Sequence, residues 1–286
     1  MRKASFVLMM FMVIISSSVV RAAPDPCAEA VTKGRFSEAI AACTKQIESG
    51  GDEMSITAAY RYRGIAYLAT GHPDLAIADL NVAIERDGSD ASAFSNRGAA
   101  YMSQNRFSFA IIDLNKAIEL NPKDDIAYKN RGAAYMGQGE TDKAIADFNK
   151  SLELNPKDGE TYSDRGAAYL AKGKTDKAIG DFNKAIKLDP TNDEPYRNRG
   201  AANMAAGRFK AAKADLSKAI ELDPADNRGY YNMACLYSRE KKANESCSWL
   251  QKAIDHGYSN WDHMRQDTDL DNVRTADCYL KLNKGK

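Results

Sequence analysis

Histidine is nearly missing from this chain of 286 residues, which carries three. His256 and His263 stand seven apart, so they do not make a close i,i+4 pair of metal ligands. The run Asp267-x-Asp269-x-Asp271 opens like a calcium loop. Asn272, however, stands where the turn glycine belongs, and Cys278 where the closing glutamate belongs. A phosphate-cradling glycine loop, a serine nucleophile elbow and a zinc-protease helix are all lacking. No catalytic residue, metal or cofactor is therefore nominated, and the chain reads as a non-enzyme. An excess of one charge is lacking too, with 40 Lys and Arg against 39 Asp and Glu. Nucleic acid and anionic membranes both demand a basic surface, and a balanced chain argues against either as its main partner.

Long apolar runs are confined to the start. Met1, Arg2 and Lys3 are followed by an unbroken apolar stretch from Phe6 to Ile15, then by Ser16 to Ser18 and Val20-Arg21-Ala22-Ala23. A basic start, a short apolar core and small residues at the cut are the parts of a secretory signal peptide. The stretch is half of the about 20 residues needed to span a bilayer, and the serines interrupt it, which argues against an uncleaved anchor. The small residues place cleavage after Ala22, giving a signal peptide over 1–22. Its removal leaves 37 basic and 39 acidic residues and no segment for membrane insertion. The expected location is periplasmic or secreted, where disulfides form. The five cysteines are an odd number, so at least one thiol stays free or pairs with another chain.

What the chain has in abundance is repetition. Arg-Gly recurs every 34 residues at Arg63-Gly64, Arg97-Gly98, Arg131-Gly132, Arg165-Gly166 and Arg199-Gly200. Three residues after each glycine come Tyr67, Tyr101, Tyr135, Tyr169 and then Asn203; twelve after it come Ala76, Ala110, Ala144, Ala178 and Ala212. Pro122, Pro156, Pro190 and Pro224 close four of the units, with Gly88 in the first. Within one unit, Tyr128, Gly132, Tyr135 and Met136 share a helical face, and Ala144, Ile145, Phe148 and Leu152 share the next. Gly132 and Ala144 lack bulk, which lets two helices approach closely. Proline then stops the second helix.

These residues resemble the tetratricopeptide repeat, a unit of two antiparallel helices in 34 residues. The resemblance runs from about Cys27 to Gly257 and implies an all-α fold, a right-handed superhelical α-solenoid. Repeats are expected at 57–90, 91–124, 125–158, 159–192 and 193–226. A degenerate first unit is expected over 24–50, a divergent last one over 227–260 and a C-terminal cap over 261–286. Trp261, Met264, Leu270 and Val273 are expected to cover the last helix pair.

Where the family usually has leucine, this chain puts arginine, and an aspartate follows each one sixteen residues later: Arg63 and Asp79, Arg97 and Asp113, Arg131 and Asp147, Arg165 and Asp181, Arg199 and Asp215. A charge at a half-buried seam is costly unless matched. The co-occurrence predicts that each pair meets, across one helix pair or from the adjoining repeat, and sets the register. Ligand binding by the arginines is the alternative. Cys27 and Cys43 fall at facing positions of the degenerate unit and are expected to bond. Cys247 with Cys278 is a second pairing, and Cys235 with Cys247 the alternative to it.

The resemblance implies that a peptide or partner domain binds the concave face built from the first helices. That places a row at Tyr62, Asn96, Asn130, Asp164, Asn198 and Asn232, with Arg61, Lys129 and Arg197 in the neighbouring row. Asparagines can donate and accept hydrogen bonds to an extended peptide backbone regardless of its sequence. The expected function is a non-catalytic scaffold binding another protein or an extended peptide. The alternative is an assembly or secretion accessory using its convex face or C-terminal end. Self-association is not legible from the sequence. N-terminal sequencing of the exported protein should begin at Ala23; an intact Met1 end would identify an anchor instead.

Overall fold

The structure, a computed structural model, describes residues 25–284; the predicted signal peptide lies outside the described residues. Among the described residues there are sixteen α-helices and one 3-10 turn, and no strand. None of the helices is long and apolar enough to cross a membrane. The helices fall into two compact units that divide after Pro156.

The first unit holds four antiparallel pairs: α1 (Pro26–Thr32) with α2 (Phe36–Ser49), α3 (Glu53–Ala69) with α4 (Pro73–Arg86), α5 (Ala91–Ser103) with α6 (Phe107–Leu120), and α7 (Asp125–Gln138) with α8 (Thr141–Leu154). The second holds α9 (Gly159–Ala171) with α10 (Thr175–Leu188), α11 (Asp193–Ala205) with α12 (Phe209–Leu222), and α13 (Asn227–Arg239) with α14 (Ala243–Asp255). It ends in α15 (Trp261–Gln266), the 3-10 turn Thr268–Leu270 and α16 (Asp277–Leu282).

Local chemistry starts and stops each helix. The first helix of a pair opens on an acidic or amide side chain that accepts from its leading N–H groups, as Asp90 does from Ala93 and Asp124 from Ile126 and Ala127. The turn inside each pair passes through a left-handed residue, glycine at Gly139 but Asn105 and Lys241 elsewhere, both with positive φ. Asparagine visits that region readily and lysine does not, so Lys241 is the strained member of the series. The second helix of a pair ends before the proline, with Asn155 N–H donating to Ser151 just ahead of Pro156. α3 departs from the expected start at 57. Asp52 caps it through the Ser55 N–H and hydroxyl, which adds a turn to its front.

Close approach explains the glycine in the middle of five of the first helices, α3, α5, α7, α9 and α11. A Cβ at Gly132 would lie 2.7 Å from the Phe148 ring and 3.2 Å from the Ala144 carbonyl oxygen. Large buried side chains of the second helices, Leu80, Leu114 and Phe148 in one unit and Phe182 and Leu216 in the other, fill the seams so created.

Disulfides sit at both ends. Cys27 and Cys43 join α1 to α2 with Cα atoms 4.9 Å apart, and Cys247 and Cys278 join α14 to α16 at 6.0 Å. In the chain-entropy model closures of this size contribute on the order of 3–4 kcal/mol each. The alternative pairing of Cys235 with Cys247 is corrected: Cys235 keeps a free, buried thiol. Met264, Leu270 and Val273 are fully buried against α13 and α14, with Trp261 packed beside them.

The glycines separate two kinds of position. Gly132→Ala should lower stability by about 1–3 kcal/mol because its methyl meets Phe148. Gly180→Ala should raise it by about 1 kcal/mol, because nothing lies within 4 Å of the added carbon. Urea melts of the two variants check both signs.

Candidate functional site

The arginines and aspartates come together in the five regular repeats, and each aspartate belongs to the same helix pair as its arginine. Arg131 donates from Nε and Nη2 to the two oxygens of Asp147, both at 2.7 Å. The same bidentate pairing joins Arg63 to Asp79, Arg97 to Asp113, Arg165 to Asp181 and Arg199 to Asp215. Each guanidinium also lies beside the ring three residues earlier: Tyr60, Phe94, Tyr128, Tyr162 or Tyr196, at 5.5–5.6 Å. The aspartate hydrogen bond raises the pKa of Arg63, Arg97, Arg131 and Arg165 above the ordinary arginine value.

The remaining arm of the fork makes a contact that the spacing rule did not include. Nη1 of Arg97 donates to Asn81 and that of Arg131 to Asn115, each at 2.7 Å, and that of Arg63 donates to Thr44 at 2.9 Å. In the second unit Nη1 of Arg199 donates to Asn183 at 2.6 Å. These acceptors lie on the second helix of the preceding pair, so one guanidinium ties three helices. The signal was in the sequence, as Asp-Leu-Asn or Asp-Phe-Asn at 79–81, 113–115, 147–149 and 181–183. At 215–217 it becomes Asp-Leu-Ser, and the following first helix has Met233 in place of arginine.

The expected binding row is more committed than the sequence suggests. In the first unit Arg61 pairs with Asp90 at 2.9 Å, and Lys129 and Asn130 are both only 6% exposed. In the second unit Arg197 is 5% exposed and meets Asp193 and Asp226, each at 2.6 Å. Arg61 and Arg197 therefore bind the aspartate that caps the next first helix rather than standing open as ligand cations. The asparagines differ among themselves. Asn96 donates from Nδ2 to Ser92, and Asn198 to Glu194; among the described residues no donor reaches either amide oxygen, and neither end of Asn232 is engaged.

Where the last pair meets the cap, the second unit gathers Tyr231, Cys235, Tyr258, His263 and Asp267. The Tyr231 hydroxyl donates to Asp267 at 2.8 Å, Tyr231 and Tyr258 stack with centroids 4.4 Å apart, and the Tyr258 hydroxyl lies 2.8 Å from His263 Nδ1. Burial pushes the Cys235 thiol and the Tyr231 hydroxyl well up and Tyr258 up to about 12. All three stay protonated at neutral pH, so the cluster supplies hydrogen bonds and stacking rather than a nucleophile.

The ladder's parts should separate in stability measurements. Asn115→Leu removes only the bond between pairs and should cost about 0.5–1 kcal/mol. Arg131→Ala strands Asp147 and should cost about 2–4 kcal/mol. Equal costs in denaturant melts would place the energy in the link between pairs.

Comparison with known proteins agrees with this geometry. Tetratricopeptide-repeat family models match residues 91–124, 126–158, 148–180, 194–226 and 228–255, and a further TPR-repeat model matches 166–207. A tetratricopeptide repeat protein from Parabacteroides merdae is 20% identical with a TM-score of 0.66, over 86% of this chain and 95% of its own. MamA is 31% identical with a TM-score of 0.50, over 58% of this chain and 95% of its own. YrrB, described as a TPR protein with an unusual peptide-binding site, is 23% identical with a TM-score of 0.50, over 62% of this chain and 92% of its own. No curated protein matches the sequence. Paired helices, a 34-residue period and models matched along most of the repeats make this chain a member of the tetratricopeptide-repeat family.

Proposed function

We propose that this protein is a non-catalytic scaffold outside the cytoplasm, periplasmic or secreted, that grips an extended peptide or partner segment along its first helices. Tetratricopeptide-repeat proteins are protein-interaction modules, and one of the similar structures carries a peptide-binding site by its own description.

The observation that carries the reading is the division of labour among polar side chains on the first helices. The ladder arginines turn their donors to aspartates and to Asn or Thr side chains inside the protein, and Arg61 and Arg197 are ion-paired with Asp90 and Asp226. Asn96, Asn198 and Asn232, at equivalent places, keep amide oxygens open at a half-buried surface. An extended backbone can donate its N–H groups to such oxygens, and that recognition is largely independent of side-chain sequence. Lys129 and Asn130 then contribute to the wall rather than to the contact. The two disulfides and the predicted signal peptide support an oxidising compartment.

Photo-crosslinking in the native compartment tests the row. Wild type should capture a partner that the triple variant Asn96→Ala, Asn198→Ala, Asn232→Ala loses while its melting temperature is kept. The same partners on a folded variant would move the binding site away from these helices.

A further inference from the structure

The balance of charge over the whole chain hides a local imbalance on α10. That helix repeats α8 almost residue for residue: Thr175-Asp176-Lys177-Ala178-Ile179 follows Thr141-Asp142-Lys143-Ala144-Ile145, and Asp181-Phe182-Asn183-Lys184 follows Asp147-Phe148-Asn149-Lys150. On α8 each lysine has a glutamate one turn away. Lys143 pairs with Glu140, and Lys150 with Glu153 at 2.7 Å. The later of those pairings recurs on α6 and α12, as Lys116 with Glu119 and Lys218 with Glu221. On α10 both glutamates are replaced, by Lys174 and Lys187. Two neutral pairs have become two like-charged pairs, and all four lysines are exposed.

This arrangement works against the helix. Like charges one turn apart repel, and Lys174 and Lys177 sit at the amino end, where the macrodipole disfavours cations. The nearby carboxylates do not relieve it. Asp176 is held by Arg208 at 2.9 Å, Asp181 by Arg165, and Asp189 by the Thr191 N–H and hydroxyl. Lys177 and Lys184 lie against the rings of Tyr169 and Tyr162, at 5.6 and 5.0 Å, instead of against anions. Lys187 lies in the last turn, where the macrodipole favours a cation, so the conflict is confined to the like-charged pairs and the amino end. A local electrostatic conflict of this kind points to a surface kept for binding.

We propose that the exposed face of α10 is a second docking surface, taking a carboxylate-rich stretch of a partner polypeptide across Lys174, Lys177, Lys184 and Lys187. Lys177 to Lys187 spans about 15 Å of helix, room for several carboxylates in either extended or helical form. Gly180 lies between the lysines with nothing within 4 Å of where a Cβ would stand, which lets a chain approach the helix there. The chemistry favours a polypeptide over other anions. Leu188 is the exposed large apolar side chain of this helix, too little for an interfacial membrane helix, which carries a full apolar face. The chain as a whole is balanced in charge, 40 Lys and Arg against 39 Asp and Glu, which argues against a nucleic acid as the occupant.

The test uses the full mature chain and an oligoglutamate peptide as probe. The wild type should bind the peptide with an affinity that falls as salt rises. The double variant Lys174→Glu, Lys187→Glu restores the residues that α8 already accommodates, and it should bind at least about tenfold more weakly. A charge-matched variant, Lys45→Glu with Lys281→Glu, should bind as the wild type does. Failure of the wild type to bind, an unchanged affinity in the α10 variant, or an equal loss in the charge-matched variant would overturn the proposal. So would tighter binding to oligothymidylate or to vesicles of equal parts phosphatidylglycerol and phosphatidylcholine.

Discussion

Five of the repeats are built around a guanidinium placed where a tetratricopeptide repeat commonly carries leucine. An apolar residue at that seam could pack with several neighbours at similar energy. A planar fork has few satisfactory positions, and Arg131 finds them with both oxygens of Asp147 and the amide of Asn115. The aspartate fixes how two helices of one pair meet, and the asparagine fixes where the previous pair sits. Desolvation makes such groups costly when unmatched, and at Arg131 Nε, Nη1 and Nη2 are each matched by an acceptor. The same constraint shapes the neighbours: an aromatic ring three residues before each arginine, and a glycine directly after it so that the second helix can come close.

Commitment of charge inside the repeats also determines what remains for partners. Arg61 and Arg197 looked like ligand cations by position alone, yet each reaches the aspartate capping the next first helix. Their places alternate with small residues, Ser95 and Ser163, along the same row. Neutral amides are thus what the proposed row on the first helices would offer, while positive charge without a paired carboxylate is displayed on the exposed side of α10. The two proposed surfaces would ask for different things, backbone hydrogen bonds in one case and carboxylates in the other.

Much of this was legible from residues alone because a period of 34 fixes both helices of a pair and their facing positions. The arginine–aspartate spacing carried over because both residues lie within one unit of that period. The asparagine contacts were harder to read because they join one helix pair to the next, and that geometry is not contained in either pair. Thr44 shows the difficulty: it meets Arg63 where a strict period would place another residue, since three extra residues break the spacing ahead of α3. The early start of α3 has a similar origin, as a local Asp52 cap outweighed the period. Burial was the other missing quantity. Lys129, Asn130 and Arg197 are polar in type but enclosed in place, and side-chain type alone does not show how many neighbours surround it.

The placing of the two disulfides has a mechanical side. A stack of repeats ordinarily gives way at its ends, where the outermost pair has a neighbour on one side only. Here the Cys27–Cys43 and Cys247–Cys278 bonds carry tension past the segments they enclose, so a pull on either terminus runs through sulfur into α2 or α14. The residues between the bonded cysteines cannot pay out as slack. Yielding is directed instead to the noncovalent seams further in. In an oxidising compartment such a chain behaves like a rope whipped at both ends: it does not unravel from the tips.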